Sequence, residues 1–161
     1  MSERSKLVAA LLEDLDHRSP AGFAIALHVR FTRPTFLFQS YPRRWMDHYA
    51  AAGLVLRDPT VNWGFHNVGH VRWSDLERID TGSVLDQARN FGIMYGVAVA
   101  IVRNASRSIA SFSRSDEEYE GEAMIELESL LAELHDATGP SEDLTPDDHD
   151  ALNALSVKLT H

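Results

Sequence analysis

The sequence predicts an α+β domain in which helices are layered on a mainly antiparallel sheet. Three observations carry this reading. Residues 23–31 alternate apolar with small or polar side chains, the period of a half-buried strand. A second strand pair occupies residues 97–102 and 108–113, joined by a short polar loop. Segments with apolar residues at helical spacing lie before, between and after these pairs. Strand therefore follows strand through hairpins rather than helical crossovers, which implies an antiparallel sheet.

The elements follow in order. Leu7, Val8, Leu11, Leu12 and Leu15 form one helical stripe, broken by Pro20 and Gly22. Phe23, Ile25, Leu27, Val29 and Phe31 give the first strand; Arg33-Pro34 reads as a turn and residues 35–39 as its antiparallel partner. Pro42 suits the first turn of a helix that Gly53 would end. Asp58-Pro59 has the form of an N-cap followed by proline at the first helical position, opening a short helix to about residue 65. Residues 71–73 read as a short edge strand, and Asp80 or Thr81 as the cap of a helix to about Phe91. Residues 117–135 predict a long amphipathic helix with Met124, Leu127, Leu131 and Leu134 on one stripe. The expected division is a domain over 1–138, then a linker at Gly139-Pro140-Ser141 and the start of a further helix within 139–161.

With 161 residues, 44% of them hydrophobic, the chain suits one domain able to enclose a small ligand. Without cysteine, disulfides and thiolate zinc sites are excluded. The N-terminus carries acids and lacks a signal-peptide apolar run, and no stretch reaches the roughly 20 apolar residues of a membrane span, so a soluble cytoplasmic protein is expected. A formal net charge of −9 argues against nucleic-acid binding by this chain alone. Residues 115–157 contain neither Lys nor Arg and read as a solvated acidic face and polar tail.

Enzyme signatures are missing: there is no Gly-x-Ser-x-Gly elbow, phosphate-binding glycine loop or cysteine nucleophile. His66 and His70 stand four apart, but Gly69 lies between them and no carboxylate is near in sequence, so they read as loop histidines; no metal, cofactor or catalytic residue is expected. Residues 41–73 are more informative. Tyr41, Trp45 and Tyr49 recur every four residues, placing three hydrogen-bonding aromatics on one helical stripe. Two readings stand for each position here: the aromatics as core or as ligand contacts, and Asp58 as helix cap or as acceptor for a ligand.

Taken together, YPRRWMDHY, RDPTV and HVRW resemble the ligand-binding core of LuxR-type quorum-sensing regulators, which reads Tyr-Pro-x-x-Trp-x-x-x-Tyr, Asp-Pro-x-Val and a further Trp. ARNFGIMYGVAVAIV and SIASFSR look like the strand entry and following strand of the same family, and the likeness runs over about residues 22–114. It implies a three-layer α-β-α sandwich around a central antiparallel sheet, PAS/GAF-like in outline. The implied ligand is an N-acyl-homoserine lactone. By matching positions, Trp45 would donate to the lactone carbonyl, Asp58 accept the amide N–H, and Tyr41 donate to the amide carbonyl. Ser111 would stand near that carbonyl, Tyr49 and Trp73 would wall the pocket, and Thr60 would lie nearby. Leu27, Val29, Leu37, Val97 and Ile109 are candidates for the apolar wall around the acyl tail. An empty pocket would leave Asp58 desolvated without its partner, so strong ligand-dependent stability is expected.

Some positions depart from the family pattern. His70-Val71-Arg72 stands where many members have proline before the tryptophan, Ala100 where a strand proline is common, and the loop at 103–107 lacks glycines. Leu144-Thr145-Pro146 resembles the opening of the family's DNA-binding domain, yet the sequence ends at His161 before any recognition helix. The expectation is a naturally short sensor, acting as a homodimer or as a heterodimer with a full-length regulator. The alternative is an anti-activator that pairs with such a regulator and removes half its DNA grip.

Overall fold

The computed structural model describes residues 2–31 and 33–159. The chain runs α1 (Glu3–Arg18), β1 (Gly22–Arg30), β2 (Arg33–Gln39), α2 (Arg43–Ala51), α3 (Pro59–His66), β3 (Gly69–Arg72), α4 (Val84–Arg89), β4 (Tyr95–Arg103), β5 (Ser106–Arg114), α5 (Gly121–Ala137) and α6 (Pro146–Leu159), with 3₁₀ turns at Leu54–Arg57, Trp73–Ile79 and Ser141–Asp143. Among the described residues the strands form one sheet in the order β2-β1-β5-β4-β3, each neighbouring pair antiparallel. Helices cover both faces, giving the α+β three-layer sandwich expected from the sequence. None of these helices is long and apolar enough to cross a membrane.

The two faces of the sheet differ in side-chain bulk. Successive strand residues point to opposite faces, and Phe23, Ile25 and Leu27 of β1, Val97, Val99 and Ile101 of β4 and Phe112 of β5 enter one core with α1 and α5. Val8, Leu11, Leu12 and Leu15 of α1 and Met124, Leu127, Leu131 and Leu134 of α5 pack on them. The intervening residues are mostly small: Ala24 and Ala26 on β1 pair with Ser111 and Ile109 on β5, which pair in turn with Ala98 and Ala100 on β4. This second face carries α2, α3, α4 and the turn at 73–79, whose core contains Tyr41, Trp45, Trp73, Leu76, Leu85 and Ile93.

Residues 139–159 return to the first face. Leu144 and Leu152 are buried in its core, His149 lies 5.5 Å from the Phe36 ring, and the Ser156 hydroxyl donates to the Leu37 carbonyl.

Several expected boundaries move for local reasons. Arg33 and Pro34 belong to β2, where Pro34 pairs with Val29 on an edge strand that tolerates a missing N–H. The alternation of β1 breaks at a bulge between Ala26 and Val29, with His28 at φ 53°, and Phe31 ends exposed. Trp73 opens a 3₁₀ turn instead of closing β3. The helix anticipated from Asp80 begins only at Val84; the Asp80 carboxylate caps it at a distance, accepting from the Val84 and Leu85 N–H groups at 2.9 Å each. The long helix starts at Gly121 because Arg114 lies over the Tyr119 ring and donates to the Glu117 and Glu118 carbonyls, holding that stretch out of helix.

The bulge at His28 builds a polar knot between β1, β5 and α5. The His28 and His135 rings stand 4.2 Å apart. His28 Nε2 donates to the His135 carbonyl at 2.9 Å, and His135 Nε2 to the Arg103 carbonyl at 3.1 Å. A carbonyl only accepts, so both Nε2 atoms carry the proton, and each Nδ1 accepts from a serine hydroxyl at 2.7 Å: Ser106 for His28, Ser108 for His135. Ser108 Oγ also accepts the His28 backbone N–H at 3.0 Å. Burial holds both histidines below their ordinary 6.5; Asp136 opposes this at both rings, while His28 and Arg103 lower His135 further.

The sign of the pH dependence follows. Above about 6.5 both rings are neutral folded and unfolded, and their contribution to stability is complete. As the pH falls below that value the unfolded chain takes up protons first, and stability is lost down to the depressed folded values. The urea midpoint should therefore drop between pH 7.5 and pH 5.5, and drop less in His28→Asn, which tolerates the left-handed backbone. An equal drop in both proteins would contradict this.

Candidate ligand-binding site

Pro42 caps the entry to α2, and Trp45 and Tyr49 follow on the face turned to the sheet's small-residue side; Tyr41, expected on the same helical stripe, precedes the helix and joins the same core from the turn before Pro42. Tyr41 is pressed against the start of β1, where Gly22 has φ 119° and a Cβ would come within 2.5 Å of Tyr41 Cδ1. The Trp45 ring packs edge-on against Tyr49 at 5.7 Å and tilted against Phe91 at 5.3 Å.

Asp58 is the hub of the polar contacts. Its Oδ1 caps α3, accepting from the Thr60 N–H at 2.9 Å and the Thr60 hydroxyl at 2.7 Å, while Oδ2 accepts from the Tyr49 hydroxyl at 2.7 Å. Burial raises its pKa above the ordinary 3.8, and donors from Tyr49, Thr60 and Val61 pull the other way. Burial likewise raises Tyr41 and Tyr49, and the Asp58 charge adds to both, so each phenol stays protonated and able to donate.

Trp73 and Ser111 form a second polar pair, with the indole N–H donating to Ser111 Oγ at 2.9 Å. The Ser111 and Ser113 hydroxyls partly oppose the upward shift that burial gives Tyr41. The seven positions singled out by sequence thus lie on one side of the sheet. Tyr49, Asp58 and Thr60 are joined directly, Trp73 and Ser111 are joined directly, and Tyr41 and Trp45 share their apolar surroundings.

The apolar expectations need correction. Leu27 and Val97 point into the α1/α5 core, on the wrong face for this site, because strand parity places them there. Ile109 and Leu37 lie on the site's face, in register with Ala26. Over β5 the layers touch closely: a Cβ on Gly64 would lie 2.7 Å from Ile109 Cγ2. Arg107 donates to the Gly64 and Asn67 carbonyls at 2.7 Å each, fastening α3 to that strand. A cleft of about 390 Å³ adjoins the cluster at Tyr41 and Phe91, bounded also by Ala21, Ser40 and Ile93. Phe91 escaped the sequence reading; its only local signal was an aromatic at a helix end. His66 and His70 diverge, His66 bonding the Asn62 carbonyl and His70 the Glu128 carboxylate, each at 2.8 Å.

A helix-covered antiparallel sheet with a buried polar cluster between one helical layer and a floor of small residues is the architecture of a small-molecule sensor domain. The family described as the autoinducer binding domain matches residues 6–138, and the chain belongs to that family, as its LuxR-type motifs implied. It is 37% identical over 62 residues to the transcriptional activator SolR of Ralstonia nicotianae, covering 38% of this chain and 26% of SolR. It is 27% identical over 124 residues to the quorum-sensing regulator RhlR of Pseudomonas aeruginosa, covering 70% of this chain and 51% of RhlR. The chain therefore spans about half or less of these curated relatives. Among solved structures, SdiA in complex with octanoyl-rac-glycerol has a TM-score of 0.65 at 22% identity, over 86% of this chain and 60% of that one. CepR2 of Burkholderia cenocepacia, an N-acylhomoserine lactone dependent LuxR family factor, has a TM-score of 0.54 at 17% identity, over 85% and 94%. These two likenesses support the fold.

Removing the Tyr49 hydroxyl tests the hub. Tyr49→Phe leaves a buried carboxylate short of a donor, a loss of about 1–3 kcal/mol in unfolding free energy. Urea denaturation measures it, and an unchanged midpoint would mean that the Tyr49–Asp58 bond carries no weight.

Proposed function

We propose that this chain is the signal-binding part of a LuxR-type quorum-sensing transcription regulator, and that its ligand is an N-acyl-homoserine lactone. One observation carries the reading: Asp58 is buried and ringed by fixed donors, and its Oδ2, which accepts the Tyr49 hydroxyl, keeps a second lone pair for a further donor. A carboxylate so placed suits an amide N–H. The lactone offers that donor with two carbonyl acceptors a few bonds away. Tyr41 and Ser111 are the donors for the amide carbonyl, Trp45 for the lactone carbonyl, and Tyr49, Thr60 and Trp73 complete the walls. Each buried tail methylene adds about 0.8 kcal/mol, taken up over Ala24 and Ala26, which are half-buried and stand on the site's face. Nothing in this chemistry requires a cofactor or a catalytic step.

A second reading has its own support. The SdiA structure holds octanoyl-rac-glycerol, which shares an acyl tail and carbonyl with the lactone but offers hydroxyls in place of the amide N–H. Asp58 would accept a hydroxyl equally well in geometry.

Expression with a mixture of acyl-homoserine lactones, followed by solvent extraction and mass spectrometry, separates the two. A stoichiometric lactone supports the first reading; an acylglycerol carried from the host in its place supports the second. With purified lactone, Trp45→Phe and Asp58→Asn should each weaken binding by about 1–3 kcal/mol in a calorimetric titration. Unchanged affinity in both would overturn the assignment.

A further inference from the structure

The Trp73 indole occupies a tightly determined place. A Cβ on Gly96 would lie 2.2 Å from both Cδ2 and Cε2 of Trp73, so the ring rests directly on the β4 backbone. The preceding residue is pinned as well, since Arg72 Nε donates to the Tyr119 carbonyl at 2.9 Å. Trp73 itself is buried, and its Nε1 is aimed at Ser111 Oγ. An indole N–H donates and cannot accept. It therefore claims a lone pair of Ser111 Oγ and leaves that hydroxyl's proton to point elsewhere. Ser111 lies on the sheet's small-residue face between Ala24 and Ala98, the side to which Tyr41 also turns.

We infer that Trp73 is a positioning residue: by donating to Ser111 Oγ from a ring locked over Gly96, it directs the Ser111 hydroxyl proton toward the ligand's acyl carbonyl. This rests on the proposed function, in which Ser111 and Tyr41 share that carbonyl. A serine hydroxyl left to itself rotates among three staggered positions and bonds its own strand's backbone readily. With one lone pair held by the indole, it enters the complex already oriented, which is where preorganisation gains affinity. Gly96 belongs to the device, because any side chain there would displace the ring.

The test is a double-mutant cycle with N-octanoyl-homoserine lactone as probe, using Trp73→Phe, Ser111→Ala and both together. Trp73→Phe and Ser111→Ala should each raise Kd roughly tenfold, and the double variant should stay within about twofold of Ser111→Ala. Ser111→Thr, which keeps the hydroxyl, should recover most of the loss. A Kd in the double variant equal to the product of the single effects, or an unchanged Kd in Trp73→Phe, overturns the inference while leaving lactone binding intact. A ligand-free measurement guards against a variant that fails to fold. In Ser111→Ala the Trp73 indole proton should shift upfield in the NMR spectrum and exchange faster with solvent; no change in either overturns the pairing. If that shift occurs but the wild-type protein does not bind the probe, the proposed lactone site is what fails.

Discussion

The difference in bulk between the two faces of the sheet is the constraint on which the rest of this molecule depends. Strand geometry forces every second residue to one side, and this sequence places Phe, Ile, Leu and Val on one parity and Ala, Gly and Ser on the other. The bulky parity builds the main core with α1, α5 and α6. The small parity leaves height above the sheet, which Tyr41, Trp45 and Trp73 fill from the opposite layer. Where the small parity is interrupted, at Ile109, the helix above answers with Gly64. A sheet with large side chains on both faces would have no space for a polar cluster between its layers.

Asp58 does two jobs with one carboxylate. As a cap it satisfies the first turn of α3, a role worth about 1 kcal/mol; as a buried acceptor it gathers Tyr49 and Thr60 around itself. The expectation that Asp58 would be stranded without a ligand is not met, because Tyr49 and Thr60 supply donors from within the chain. The carboxylate is desolvated but partnered, so the physical ground for a fold that requires bound signal is weaker than the sequence suggested. The histidine knot beneath α5 is separate from this site and has the opposite pH behaviour: acid favours the protonated, less costly form of buried Asp58, while it disfavours neutral His28 and His135.

Much of this was legible in the sequence, for identifiable reasons. Hairpin connectivity followed from alternation and short loops, and the cap at Asp58 from its neighbour Pro59. Trp45 and Tyr49 share a face of α2 because helical spacing is a local signal, whereas Tyr41 stands before the helix and reaches the same core from the preceding turn. The departures were matters of strand register or of side-chain contacts, near and far in sequence, that no local pattern announces. A bulge at His28 reverses strand parity, and no local pattern announces a histidine in the left-handed region. Leu27 and Val97 were indistinguishable from ligand-facing residues until the parity of their strands was fixed. The late start of α5 depends on Arg114 reaching the Glu117 and Glu118 carbonyls, and the packing of α6 depends on Phe36 and Leu37 more than a hundred residues earlier.

In the proposed reading Asp58 recognises a ligand N–H between the small-residue face and the helices that cover it. Calorimetric titration of N-octanoyl-homoserine lactone against its ester counterpart, in which oxygen replaces the amide N–H, addresses that claim with a single atom changed. The ester should bind at least about tenfold more weakly, since Asp58 would face an acceptor in place of a donor, and the difference should shrink in Asp58→Ala. Equal affinities for amide and ester in the wild-type protein would contradict the account.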